Sequence, residues 1–205
     1  MRGRCMPFFM KPLLFIAFLL TAFTSRHTSS TTTELRCVLT ADKEVYKIGE
    51  LPKLTVKIYN DGKENIYLIG SLDGSDVKWR YPYCYYSIDR PKSVETKLQR
   101  CGNMNSLRLQ DFKLIQPGQE FNPYESIDDY GFFTDYTTTN TETFKNPGVY
   151  KIKFHYSTNS QDINQFIGDK PFRSDPTDSL RLDSMFRAVP RVELTSNEIV
   201  IKVTK

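Results

Sequence analysis

The chain has 205 residues, with 28 Lys and Arg against 24 Asp and Glu, a formal net charge of +4, two histidines and four cysteines. Residues 1–25 hold three of the basic residues and no acid, so the remainder carries 25 basic against 24 acidic side chains. That near-neutral remainder, with no clustered positive stretch, excludes the footprint of a nucleic-acid-binding protein. Two histidines leave little room for a His-based catalytic or zinc site.

Arg2, Arg4 and Lys11 accompany an apolar run of eleven residues, Leu13 to Phe23, broken only by Thr21. A bilayer span needs roughly 20 apolar residues. The run fits the core of a secretory signal peptide over residues 1–25, with Ala22-Phe23-Thr24 as an imperfect cleavage site. An uncleaved anchor from Met6 to Phe23 is the alternative, and it would place Lys11 at a cost inside the span. RHTSSTTTE, residues 26–34, reads as a Ser/Thr-rich spacer. The expectation is an exported protein with one domain over 35–205 and no stable membrane anchor once the leader is cleaved.

Export favours disulfides. Cys5 leaves with the leader, so Cys37, Cys84 and Cys101 remain. The spacing favours a Cys84–Cys101 bridge closing a short polar loop, worth roughly 3 kcal/mol on the loop-entropy argument. Cys37 with either partner, or three reduced thiols, stay open. The sequence has no CxxC and no Cys/His cluster, so no metal is expected.

Period-two alternation runs through most of the domain. In KLTVKIY (53–59) Leu54, Val56 and Ile58 alternate with Lys53, Thr55 and Lys57, as in a strand with one wet face. NDGK (60–63) is a turn, ENIYLIGSL (64–72) a strand, and DGSD (73–76) another turn. VKWRYPYCYYSI (77–88) places Val77, Trp79, Tyr81, Tyr83 and Tyr85 on one face. Its Pro82 cannot donate to a ladder, which argues for an edge strand or a bulge. The alternation predicts Trp79 in the interior, with Tyr83, Tyr85 and Tyr86 as a possible binding rim. Residues 89–110 are polar. DFKLIQPGQEF (111–121) has a Pro-Gly turn between short strands, and TTTNTETF (137–144) is either strand or loop. NPGVYKIKFHYS (146–157) is the clearest strand, with Tyr150, Ile152 and Phe154 predicted in the core. Residues 158–190 form a polar excursion with one or two helical turns in DSLRLDSMF, capped by Asp178. RVELTSNEIVIKVT (191–204) closes the chain as a strand.

Seven to nine strands with regular turn signals and almost no helix predict an all-β antiparallel sandwich. The polar segments 89–110 and 158–190 read as two long loop insertions without a core of their own.

Three segments carry a resemblance: LTADKEVYKIGELPKLTVKIYN, the pair IQPGQEF and FKNPGVYKIKF, and ELTSNEIVIKV. They resemble the entry strands, paired Pro-Gly turns and last strand of secreted bacterial immunoglobulin-like domains. The turn layout is distantly similar to that of the bacterial intracellular proteinase inhibitor family. The Gly-x-Tyr of GVYKI resembles the tyrosine corner of immunoglobulin domains. The resemblance implies an immunoglobulin-like sandwich, with the Tyr150 hydroxyl reaching back to the main chain. The chain departs from the inhibitor family in its leader, and Ile152 stands where antibody domains place a bridging cysteine.

Catalytic chemistry finds few candidates. His27 lies in the spacer and His155 shares a strand face with Lys151 and Lys153. Glu125, Asp128 and Asp129 cluster in YESIDDY, but adjacent Asp128 and Asp129 on a strand point to opposite faces, which spoils a glycosidase pair. Asp73 and Asp76 lack the bidentate Glu of a calcium loop. The expectation is a non-enzymatic binding or accessory module without a cofactor, recognising a protein partner through its end loops. The alternatives are a carbohydrate-binding module, a protease inhibitor and a glycosidase-type enzyme.

Overall fold

A computed structural model of the chain describes residues 34–72, 78–90, 106–125, 141–168 and 176–205. The leader, the spacer up to residue 33, the DGSD acids, Cys101 and the Asp128–Asp129 pair lie outside the described residues. From residue 32 onward the chain belongs to one unit.

The described residues are mostly β, with ten strands, two α-helices and two 3-10 turns, Leu109–Asp111 and Thr141–Phe144. The strands are β1 (Leu35–Ala41), β2 (Val45–Lys47), β3 (Leu54–Asn60), β4 (Ile66–Ile69), β5 (Tyr83–Asp89), β6 (Phe112–Ile115), β7 (Glu120–Phe121), β8 (Gly148–Ser157), β9 (Glu193–Thr195) and β10 (Ile199–Thr204). They form a sheet β1-β3-β7, a sheet β2-β10-β8-β5 with β9 also on β8, and a two-stranded sheet β4-β6. All pairs are antiparallel except β2 with β10, which run parallel.

Alternation explains the strongest strands. In β3, Val56 and Ile58 are buried while Thr55 faces water. In β8, Tyr150, Ile152, Phe154 and Tyr156 are buried, and Lys151, Lys153 and His155 lie on the other face. Period-two side chains on a pleated backbone give one dry and one wet surface. Side chains of all three sheets meet in one cluster that includes Leu39, Tyr46, Val56, Ile58, Leu68, Phe121, Tyr150, Ile152, Phe154, Tyr156, Ile201 and Val203.

The Asp-Gly turn at 60–63 does not close a hairpin, because β3 and β4 belong to different sheets. Buried Asn60 makes the handover. Its amide Nδ2 donates to the carbonyls of Glu64 (2.8 Å) and Ile115 (3.0 Å), and its Oδ1 accepts from the Gly62 N–H (3.1 Å). The Pro-Gly turn likewise joins two sheets, with Gly118 at φ 78, a conformation glycine adopts at little steric cost.

Two expectations need correction, the Asp178 cap and the Cys84–Cys101 bridge. The polar excursion 158–190 has no core of its own and shares one with β4 and β6. Phe166 of α1 (Asn164–Ile167) and Phe186 of α2 (Pro176–Ala188), with Val189, pack on Ile69, Leu72, Leu107 and Phe112 as a second apolar cluster. Each contributing stretch is short, and only the fold brings them together. Asp178 sits inside the first turn of α2 rather than at its cap, where its charge meets the positive end of the helix dipole. The second correction concerns the expected Cys84–Cys101 bridge, which is not formed. Cys84 and Cys37 are both reduced, buried thiols in the main cluster. Cys84 faces inward from β5, whereas the bridge required a sulfur turned toward a surface loop. Burial pushes the Cys37 thiol up to about 12.

Candidate functional site

The aromatic stretch 77–88 is divided by the start of β5 at Tyr83. Residues 78–82 are not strand, so the alternation through Trp79 and Tyr81 does not carry into the sheet. From Tyr83 onward the even positions turn inward: Cys84 is buried, and Tyr86 packs on Phe154 (ring centroids 5.2 Å) and Tyr124 (6.4 Å). Tyr86 therefore leaves the proposed rim, and its hydroxyl pKa is raised chiefly by desolvation. Trp79 leaves the proposed core, being 43% exposed. Its neighbour Arg80 takes the interior place. The guanidinium donates to the carbonyls of Leu72 (2.6 Å) and Phe166 (3.4 Å), main-chain acceptors that an indole there could not satisfy together. Tyr150, Ile152 and Phe154 lie in the main cluster.

Tyr83 and Tyr85 stay on the outer face of the sheet, with Ser87 and Asp89 beside them. The β5–β8 register sets Tyr85 opposite His155 and Ser87 opposite Lys153, and the β8–β9 register sets His155 opposite Thr195. Cross-strand neighbours on one face are close enough to interact. The His155 imidazole stacks on Tyr85 with centroids 4.7 Å apart and planes 15° apart. Its Nε2 is 2.8 Å from the Ser87 Oγ, and its Nδ1 is 3.1 Å from the Thr195 Oγ1. The Lys78 ammonium lies 4.2 Å from the Tyr85 ring centroid. Tyr83 stacks on Tyr81 at 3.8 Å.

This arrangement sets the protonation state of His155. Desolvation comes first, followed by the positive charges of Lys78 and Lys153, and all three lower its pKa below 6.5. The imidazole is therefore neutral at neutral pH, with one nitrogen able to accept a hydrogen bond from a hydroxyl. Sequence reading placed His155 correctly on a wet sheet face. It missed the constellation, because Ser87 and Thr195 are 68 and 40 residues away along the chain.

Further along the same face Val45, Val149 and Val200 are each 52% exposed on three adjacent strands, with Lys202 among them. The outer surface of this sheet is thus an aromatic and lysine patch continued by a small apolar one. Glu125 is described and lies near Tyr124 and the β7 end of the other sheet. Among the described residues no group of His, Cys, Asp or Glu is placed to hold a metal ion, and no helix is long and apolar enough to cross a membrane. Comparison with protein-family models, with curated proteins and with solved structures returns no match.

Proposed function

We propose that the chain is an exported binding module that recognises a protein partner through the outer face of the β2-β10-β8-β5 sheet. The observation that carries the reading is the partly exposed Tyr85–His155–Lys78 stack on β5, β8 and the segment before β5, continued on the same sheet face by the exposed Val45, Val149 and Val200. Partly exposed aromatic rings with cationic and apolar neighbours on a rigid element suit a protein interface. The carbohydrate reading is weaker, because sugar stacking needs an open ring face. An imidazole and an ammonium already occupy the π surface of Tyr85, and Tyr81 covers one face of Tyr83. The described parts of the two polar segments pack into the second cluster, which favours the sheet face over those parts as the contact surface.

The fold belonging to this reading is an immunoglobulin-like sandwich. The order β1-β3-β7 beside β5-β8-β10 parallels the A-B-E and C-F-G sheets of such domains. The Tyr150 hydroxyl donates to the Asn146 carbonyl four residues upstream at 2.7 Å, the contact that a tyrosine corner makes. Export rests on the leader over residues 1–25.

The test places a photo-crosslinking amino acid at Tyr83, and separately at Thr55 on the other sheet, in the native host. A partner captured from position 83 alone is then purified and titrated. Tyr85→Ala is expected to weaken its binding at least about tenfold, as loss of an interface anchor does. Equal capture from position 55, or unchanged affinity of the variant, would remove this face from the proposal.

A further inference from the structure

An imidazole held between two hydroxyls on an open sheet face is more than a binding surface requires. We propose that Ser87 is a nucleophilic hydroxyl that takes up an acyl or phosphonyl group from a small activated electrophile, with His155 as its general base. The inference goes beyond partner binding and stands or falls independently of it.

Three features of the geometry carry it. A hydroxyl nucleophile needs a base within hydrogen-bond reach, and Ser87 Oγ lies 2.8 Å from His155 Nε2. The base needs a third group to hold its orientation, and Thr195 Oγ1 lies 3.1 Å from Nδ1 while the Tyr85 ring stacks on the imidazole. With the proton on Nδ1, Thr195 accepts from it and Nε2 accepts from Ser87. The opposite tautomer would make Thr195 the polarised hydroxyl. Ser87 is the primary and less hindered alcohol, and it is exposed on β5, where an electrophile can reach it.

The surrounding charge fits the step. Lys78 from the segment before β5 and Lys153 from β8 are the cations that act on His155, and both disfavour its protonated form. They add to desolvation, the larger cause, in lowering its pKa; Lys153 also pairs with Glu198 at 3.5 Å, so Lys78 is the cation that favours the negative charge developing on the oxygen of the attacked group. In the reaction Ser87 Oγ forms a bond to the electrophilic carbon or phosphorus as its proton passes to His155 Nε2. The bond to the leaving group breaks, and that group departs with the electron pair as fluoride or phenolate. The imidazolium then returns its proton to water. Nothing is oxidised or reduced.

The experiment treats the folded chain with a fluorophosphonate probe and maps the adduct by peptide mass spectrometry. One adduct at Ser87 is expected, forming about a hundredfold faster than in the urea-unfolded chain, the scale of general-base assistance. His155→Gln should bring the rate down to the unfolded level while its circular-dichroism spectrum stays that of the parent. Thr195→Val should slow it less, through loss of orientation. The rate should rise with pH through the His155 titration midpoint read by NMR, below 6.5, and then level off. Lys78→Met should move the midpoint and the rate profile upward together. Labelling at Thr195 or elsewhere, a folded His155→Gln variant that labels at the parent rate, or a native chain no faster than the unfolded one would each overturn the proposal.

Discussion

Tyr156 and Tyr150 share the buried face of β8, yet their hydroxyls do different work. The Tyr156 hydroxyl is fully buried, donates to the Ile69 carbonyl at 2.8 Å and accepts from the Ile69 N–H at 3.2 Å. It stands in for the strand partner that the β4 edge would otherwise need. Tyr156→Phe leaves both Ile69 groups unpaired in the interior and is expected to cost about 2–4 kcal/mol. Tyr150→Phe loses one bond to the part-buried Asn146 carbonyl and is expected to cost about 1 kcal/mol. Urea denaturation with unchanged m-values checks the order, and a Tyr150 effect equal to that of Tyr156 would contradict this account. Cys37 allows a second residue-level test. A thiol displaced from 9.0 to about 12 has on the order of a thousandfold less thiolate at a given pH. Iodoacetamide should therefore modify Cys37 only as the domain unfolds. Rapid labelling of the folded chain, followed by mass spectrometry, would show that the site is open.

At the scale of elements, Asn197 secures the outer edge of β1. Its Oδ1 accepts from the Leu39 N–H at 2.9 Å and its Nδ2 donates to the Leu39 carbonyl at 3.0 Å. The side-chain amide thus pairs both backbone groups of Leu39, as a neighbouring strand would, and ties the β9–β10 turn to the other sheet. Asn197→Ala is expected to cost about 1–2 kcal/mol and to speed amide exchange at Leu39. Asn197→Asp keeps the acceptor for the Leu39 N–H but sets a carboxylate oxygen against the Leu39 carbonyl, so it too should weaken this edge. Elements with one dry face, β3, β8 and β10, were legible in the sequence because alternation alone fixes their inward side chains. β5 was not, since its phase is set only after Pro82 and the preceding stretch is not strand. Hydrophobicity ranked Trp79 inside and Arg80 outside, the reverse of what the fold does. The deciding partners of Arg80, the Leu72 and Phe166 carbonyls, lie 8 and 86 residues away, and no local pattern signals them. The same distance along the chain hid the second cluster and the Ser87–His155–Thr195 constellation.

For the whole molecule, stability should fall in two stages on acidification. The native pKa of His155 lies below 6.5, so between that value and its unfolded value the unfolded chain binds more protons. Its contribution is complete above the unfolded pKa and is lost as pH falls through this window. Asp42, Glu50 and Glu120 have lowered pKa values, first through the Tyr46 hydroxyl, the Lys47 N–H and the Lys57 ammonium respectively. Their contributions are complete above their unfolded pKa values and disappear at lower pH still. Melting temperatures from pH 8 to 3 should show both stages, and His155→Gln should remove only the first. A variant that keeps the near-neutral slope would assign it to another group. The pairing of β2 with β10 has a consequence of a different kind. The two strands run parallel, near opposite ends of the sequence, fastened by the Val45–Lys47 register and by backbone bonds from Lys202 to Glu44 (2.8 Å) and from Ile48 to Thr204 (2.9 Å). Tension drawn between the two termini would load these bonds together in shear instead of peeling them one by one. Forced extension of such a domain would be governed by the rate at which these bonds rupture together, not by its equilibrium stability.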